Sequence, residues 1–353
     1  MINIKFYNLF KLISIGFILS NAFAFEANSS QSLLEGLETS KNITLTNDIT
    51  LNHPIHLLSG QSINGGNHKI TIDSADTGCQ ITLGNNSSIT LTNFIIKNNN
   101  TQLICGSSIS QISITYNNFE SNGLGATIIA LDNVSNSNII NNTFFENGSG
   151  SSIQLSNSKT IVVQQNFIQQ VSNDVAVILS NSSSISFISN TLSLASGSPN
   201  PQIGVIVNGG DSISLSSNKL FAYSQQVDVV RLITGSNITV ALNNFYLFTT
   251  NPYIAIGIYF GNNDEARFNL TNITIAQNNF NYFTTSNYVY LAALNFSATS
   301  TTSINTESSN DNIIGPGKIY GGVELGAQIT GSVQFIHSPM CHVPRYCILF
   351  EPR

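Results

Sequence analysis

The chain has 353 residues, a formal net charge of −6 and only 8% charged residues, against about 25% in an ordinary soluble domain. Without a basic run, nucleic acid is not an expected partner. With 41% hydrophobic residues in a regular pattern, the chain is not a disordered one either.

The first residues read as a secretory leader. Lys5 and Lys11 supply positive charge, residues 12–19 are an apolar run, and Ala22, Phe23 and Ala24 form a small-x-small cleavage site. The run falls short of the roughly 20 residues that span a bilayer, and no later stretch is long and apolar enough for a membrane span. The mature chain is expected to begin at Phe25 and to be secreted or held at the cell surface, or in the periplasm if the source is bacterial. Residues 30–37 carry Leu33, Leu34 and Leu37, the spacing of a short amphipathic helix suited to capping the open end of a sheet. Short alternating strands separated by Gly/Asn turns follow, up to Lys69-Ile70-Thr71-Ile72.

From there an apolar-x-apolar-x-x-Asn-x-apolar unit recurs, with its asparagine at Asn117, Asn142, Asn166, Asn190, Asn218, Asn243 and Asn278. The steps of 25, 24, 24, 28, 25 and 35 residues mark a solenoid in which one repeat is one coil. Within the hexamers the middle residue is expected to face outward, giving the column Thr90, Ser113, Asn138, Val162, Ser186, Ser214, Thr239 and Thr274. Leu83, Leu131, Leu155, Leu179, Val207 and Leu232 stand six residues before the next hexamer, and Phe119, Phe144, Ile168, Leu192, Leu220, Phe245 and Phe280 form a third inward set. Three strands per coil are expected to stack into three parallel sheets. The asparagines are assigned a structural role, because Asn tolerates left-handed backbone angles and its stacked amides hydrogen-bond along the axis.

This arrangement, with its opening Ser62-Ile63-Asn64-Gly65-Gly66-Asn67-His68-Lys69-Ile70-Thr71-Ile72, resembles the right-handed parallel β-helix repeat proteins of the pectin lyase-like superfamily. The resemblance covers roughly residues 40–298. It implies an all-β fold, a right-handed parallel β-helix of about nine to ten coils with a short amino-terminal capping helix. Residues 25–68 would form the cap and first coils, 69–298 the regular repeats, and 299–353 a loop, a last partial coil and a cysteine-bearing tail. Enzymes of that superfamily work with clustered carboxylates and a nearby base, but this chain has no Asp-Asp pair and its five histidines lie near its ends. No catalytic residue carries over, and no cofactor is implied.

Two weaker sets of candidates remain. Asp174, Asp228 and Arg231 fall in one strand region of coils two steps apart, about 10 Å along the axis, near the carboxylate spacing of inverting glycosidases. The lengthened step before Asn278 holds Asp264, Glu265 and Arg267, with Tyr246, Phe248, Tyr282 and Tyr288 among the aromatics around it. Asp264, Glu265, Arg267, Tyr282 and Tyr288 are the binding candidates, the charged loop because inserted loops line binding faces and the tyrosines because ring faces stack on sugars. Cys341 and Cys347 flank a short Pro-containing loop and are expected to bridge in an exported chain. Zinc is the less favoured alternative there, with His337 and His342 nearby, and no metal is assigned. Cys79 and Cys105 are expected to remain unbridged, because Cys79 lies four residues before Leu83 while Cys105 falls near the equivalent of Leu83 itself, a separation of about 13 Å along extended strands. The function expected is non-catalytic binding of a polysaccharide, cell-surface glycan or other surface partner; the alternative is a polysaccharide lyase or glycoside hydrolase with a divergent site.

Overall fold

The computed structural model describes residues 24–97, 101–172, 174–196, 202–224, 227–249, 255–260, 270–284, 289–294, 304–307, 312–314 and 333–336. Ser29 caps the helix Ser30–Thr39. Its hydroxyl accepts from the Ser32 N–H at 3.2 Å, and the Ser32 hydroxyl accepts from the Ser29 N–H at 2.9 Å, the reciprocal box that satisfies donors at a helix start. Leu33, Gly36 and Leu37 are buried, and Leu33 joins the core that contains Ala27 and Ile43. Gly36 has to be small: a Cβ there would lie 2.7 Å from the Phe25 ring. The helix therefore seals the end of the sheet where strands Phe25–Ala27 and Asn42–Leu45 pair, Phe25 opposite Ile43.

The rest is a parallel β-solenoid built as an 18-stranded and an 11-stranded sheet, with a two-stranded pair beyond. The expected three sheets become two because the first two strands of a coil run into one another. Val177–Ile188, Gln202–Ser216 and Val227–Ala241 each pass through the corner without a break. The third strand of each coil belongs to the 11-stranded sheet, where Phe94, Phe119 and Phe144 stack at 5.2 and 4.9 Å between ring centroids. Phe119, Phe144, Ile168, Leu192, Leu220 and Phe245 hold one register. So do Leu131, Leu155, Leu179, Val207 and Leu232.

One coil departs from the expected register. Ile89 pairs with Ile114 and Ser88 with Ser113, so Ser88, not Thr90, heads the outward column. The turn before Ile89 is shorter than its successors, which shifts the hexamer. Leu91, expected inward, is instead 37% exposed with φ 51°.

The asparagines differ from expectation in backbone. The left-handed residue is the one before each: Tyr116, Asn141, Gln165, Ser189, Ser217, Leu242 and Gln277, all with φ between 54° and 60°. The asparagines themselves are buried and act through their amides. Asn142 Oδ1, for example, accepts from both the backbone N–H and Nδ2 of Asn117, at 2.9 and 3.0 Å, and Asn142 Nδ2 donates to the Ile114 carbonyl at 2.8 Å.

Cys79 and Cys105 are bonded, with Cα atoms 6.0 Å apart, which overturns the expectation of free thiols. The register is one residue closer than expected, with Cys79 opposite Gln102 and Cys105 opposite Thr82 rather than Leu83, and the straight-strand assumption fails as well. Gln80 and Ile81 are both buried, as are Leu103 and Ile104 one coil on. Two successive inward side chains mean that the chain bends there. The bend draws together the outward residues on its flanks: Cys79 Sγ is 3.4 Å from Thr82 Oγ1, and Cys105 Sγ is 3.4 Å from Gln102 Oε1. Cys341 and Cys347 lie outside the described residues.

Candidate functional site

The positions of Leu103 and Ile104 recur up the solenoid, in register, at Ile128–Ile129, Ser152–Ile153, Ala176–Val177 and Val229–Val230, all buried. Asp228 and Arg231 flank the last of these. Arg231 Nε donates to Asp228 Oδ2 at 3.1 Å, and Nη2 donates to the same oxygen. Their side chains are 3% and 7% exposed although Arg231 stands in the outward register of Ile178 and Ile206. The Arg231 guanidinium lies 5.0 Å from the Tyr259 ring centroid, within cation–π range. Burial pushes the Asp228 carboxyl up from its ordinary value, and the Arg231 charge and hydrogen bond pull it back. Among the described residues Asp228 Oδ1 has no hydrogen-bond partner.

Asp174 is not part of this group. Its Oδ2 accepts the Gly150 N–H at 2.8 Å, one coil earlier, and among the described residues no contact joins it to Asp228 or Arg231. Of the three candidates, then, the structure brings two together. It also gives Asp174 a carboxyl neighbour that the sequence did not single out. Glu146 is fully buried, its Oε1 accepting the Gly148 N–H at 3.0 Å. Its carboxyl is pushed up to about 8, first by burial, against the Ser121 hydroxyl and the Gly148 amide, and further by the charge of Asp174.

A third group lies on the outer face of the 11-stranded sheet. Phe221 and Tyr246 stack at 4.6 Å with an interplanar angle of 8°, and Tyr223 and Phe248 pack at 6.4 Å, tilted by 49°. Tyr223 is 69% exposed. One coil earlier the same register positions hold Ser193 and Ala195. Lys219, which begins the strand of Phe221 and Tyr223, is exposed. Tyr282 stands at the register of Leu247, the line of buried Ala222 and Leu247, while Asn281 stands at that of Tyr246. Tyr288, Asp264, Glu265 and Arg267 lie outside the described residues, as do His337 and His342.

No protein-family profile and no curated protein sequence matches the chain. Among solved structures, the catalytic domain of a GH87 alpha-1,3-glucanase in complex with nigerose aligns at 15% identity over 88% of this chain and 69% of that one, with a TM-score of 0.45. Endo-xylogalacturonan hydrolase from Aspergillus tubingensis aligns at 11% identity over 86% and 95%, with a TM-score of 0.43. PfbA, a surface adhesin of Streptococcus pneumoniae, aligns at 12% identity over 84% and 89%, with a TM-score of 0.40. The glucanase and the hydrolase are right-handed parallel β-helix proteins. The likeness is one of architecture, and the parallel solenoid itself rests on this chain's own strand pairing.

Proposed function

We propose that the chain is exported and binds carbohydrate, or another partner at a cell surface, without turning it over. The observation that carries this reading is the outward aromatic group of the 11-stranded sheet. Phe221 is stacked by Tyr246 on one side only, and on the other the register offers Ser193, a side chain too small to cover a ring. Tyr223, above Ala195, is more exposed still. A sugar presents an apolar C–H face that lies against such rings, while its hydroxyls need polar neighbours of the Ser, Thr and Asn kind that fill this surface. The carboxylates are otherwise engaged: Asp174 holds a backbone amide, Asp228 holds Arg231, and Glu146 is fully buried. Export is supported by the role of Phe25. The residue after the expected cleavage site is paired with Ile43, and its ring lies against Gly36.

Glycan-array binding measured for wild type and for Phe221→Ala with Tyr223→Ala tests the reading. The double variant should bind about tenfold more weakly or worse, each ring being worth about 1 kcal/mol. Unchanged binding would refute it. A second reading, a polysaccharide lyase or glycoside hydrolase, has one observation in its favour, Asp228 Oδ1 at an outward register position with no hydrogen-bond partner among the described residues. Depolymerisation by wild type that is lost in Asp228→Asn but kept in Tyr223→Ala would establish it.

A further inference from the structure

We infer that the outer face of the 11-stranded sheet carries a trough in which a linear oligosaccharide lies across the solenoid axis, one sugar ring stacked on Phe221. The trough presupposes the carbohydrate reading above; what it adds is the seat of the sugar, the direction of its chain and the residue that would close the site. In the strand Thr191–Ser196, Leu192 and Leu194 are buried in the core, so Thr191, Ser193 and Ala195 point outward. All three are small. The next coil raises Lys219, Phe221 and Tyr223 opposite them, and the coil before raises Phe167 opposite Thr191 and Gln169 opposite Ser193. A low row therefore runs between two tall ones for four residue steps, about 13 Å along the strand.

Phe221 and Tyr246 are register partners on successive coils, their ring planes 8° apart and their centroids at 4.6 Å, close to the coil spacing of about 4.8 Å. The rings thus stack along the solenoid axis, one per coil, and the stack ends at Phe221 because Ser193 has no ring to continue it. Gln169 and Phe221 stand two coil steps apart, about 10 Å. That leaves the thickness of one ring, in contact with Phe221 on one side and with the Gln169 amide on the other. A sugar suits both walls. Its C–H face lies on Phe221, and its hydroxyls meet Gln169, Thr191 and Ser193, which are partly exposed and make no side-chain hydrogen bond among the described residues. Lys219, exposed at one end, is the one charged residue of the three strands that frame the trough; it favours a neutral or anionic sugar over a cationic one. An aromatic side chain from a protein partner would stack equally well on Phe221, but it has no polar rim to offer Gln169 and Ser193. The two walls block the axial direction, so the glycan continues along the strand. There Tyr223, 69% exposed, stands two residues from Phe221, about 7 Å on, and receives the next sugar above Ala195.

Filling the slot separates this site from a merely sticky aromatic surface. Ser193→Tyr continues the stack below Phe221, whereas Ser186→Tyr adds the same ring to the outward column of the other sheet. Titration calorimetry with cellohexaose, mannohexaose and hexagalacturonate, each against its monosaccharide, identifies the probe that wild type binds more tightly as a hexamer. Ser193→Tyr should bind that probe at least about tenfold more weakly, and Ser186→Tyr should bind it as wild type does. The new ring stacks as Tyr246 does, so the thermal midpoint of Ser193→Tyr should not fall below that of wild type. Full binding by Ser193→Tyr, with weak binding by Phe221→Ala combined with Tyr223→Ala, overturns the trough and leaves the carbohydrate reading standing. An equal loss in Ser186→Tyr also overturns the trough. Unchanged binding in every variant, or none of the probes bound by wild type, overturns both. A measurement on wild type needs no variant to fold. In side-chain amide NMR spectra, Gln169 should shift on saturation with the hexasaccharide, while Gln154, outward in the other sheet, should stay in place. An unmoved Gln169 overturns the trough.

Discussion

Asn190 is fully buried, and each polar atom of its side chain is engaged by the backbone or by its own column. Its Oδ1 accepts from the N–H and Nδ2 of Asn166, at 2.9 and 3.0 Å, and its Nδ2 donates to the Val163 carbonyl at 2.9 Å and to Asn218 Oδ1 at 3.2 Å. Replacement by Leu leaves a buried N–H and a buried carbonyl unmatched, so Asn190→Leu should lower stability by about 2–4 kcal/mol, read as a lower urea midpoint. Outward Ser186→Thr should change it by less than about 0.5 kcal/mol. Equal midpoints for the two variants would mean that the amide column contributes nothing. Glu146 supplies a second effect at this scale, of known sign. A carboxyl raised in the folded state stabilises fully below about 4.5, loses that contribution as pH rises to about 8, and is level beyond. Glu146→Gln should therefore gain on wild type between pH 5 and pH 8 by at most about 5 kcal/mol in unfolding free energy. A constant difference across that range would show that Glu146 does not titrate between the two states. The asparagine column and the third inward column could be read directly from the sequence, because each admits few side chains: an amide to chain the rungs, a large apolar group to fill the core. The left-handed position just before each asparagine could not. Tyr, Asn, Gln, Ser and Leu all occupy it, since the amide bonds on its neighbour hold the turn whatever its own side chain.

At the scale of the strand, the bend that breaks the alternation accounts for the largest differences between expectation and structure. Strict period-two reading puts residues i and i+3 on opposite faces, which leaves Asp228 and Arg231 as neighbours in sequence without a direct contact, and the rise of a straight strand makes a Cys79–Cys105 bond look out of reach. A run of two inward residues restores both. The visible trace is an adjacent pair of apolar residues, such as Val229–Val230 or Ile128–Ile129, recurring at coil spacing. In the first coils, where Gln80 is one of the pair, even that trace is faint. The disulfide closes a loop of 26 residues, so Cys79→Ser with Cys105→Ser should cost about 2–4 kcal/mol, measured by denaturant unfolding of oxidised wild type against the double variant. Equal stability would place the bond outside the cooperative unit. The ion pair should behave asymmetrically. Asp228→Ala strands a buried guanidinium and should cost about 3–5 kcal/mol, whereas Asp228→Leu combined with Arg231→Met should cost markedly less. Additive losses would mean that the two side chains do not act as a pair.

Across the whole molecule, each coil is held by the coil before and the coil after, so stability is a chain of neighbour terms and the ends are its weak points. An uncapped end presents unpaired strand edge and apolar interior together, the combination that leads to edge-to-edge association. At the amino-terminal end the helix Ser30–Thr39 meets both needs, with Leu33 buried against the core that includes Ala27, Ile43 and Leu45. Leu33→Asp places a carboxylate in that contact, where no basic partner is available among the described residues around it, and should detach the helix while leaving the later coils folded. Two readouts belong together. Hydrogen exchange should rise in residues 25–51 and stay unchanged around Asn166 and Asn190, because only the first neighbour terms are lost. Light scattering should show concentration-dependent association, because the exposed rung offers a free edge and its Ile49 and Leu51. Exchange that rises uniformly along the chain would show that the solenoid unfolds as one unit, and a monomer with a frayed end would show that the helix seals the core but is not what prevents association.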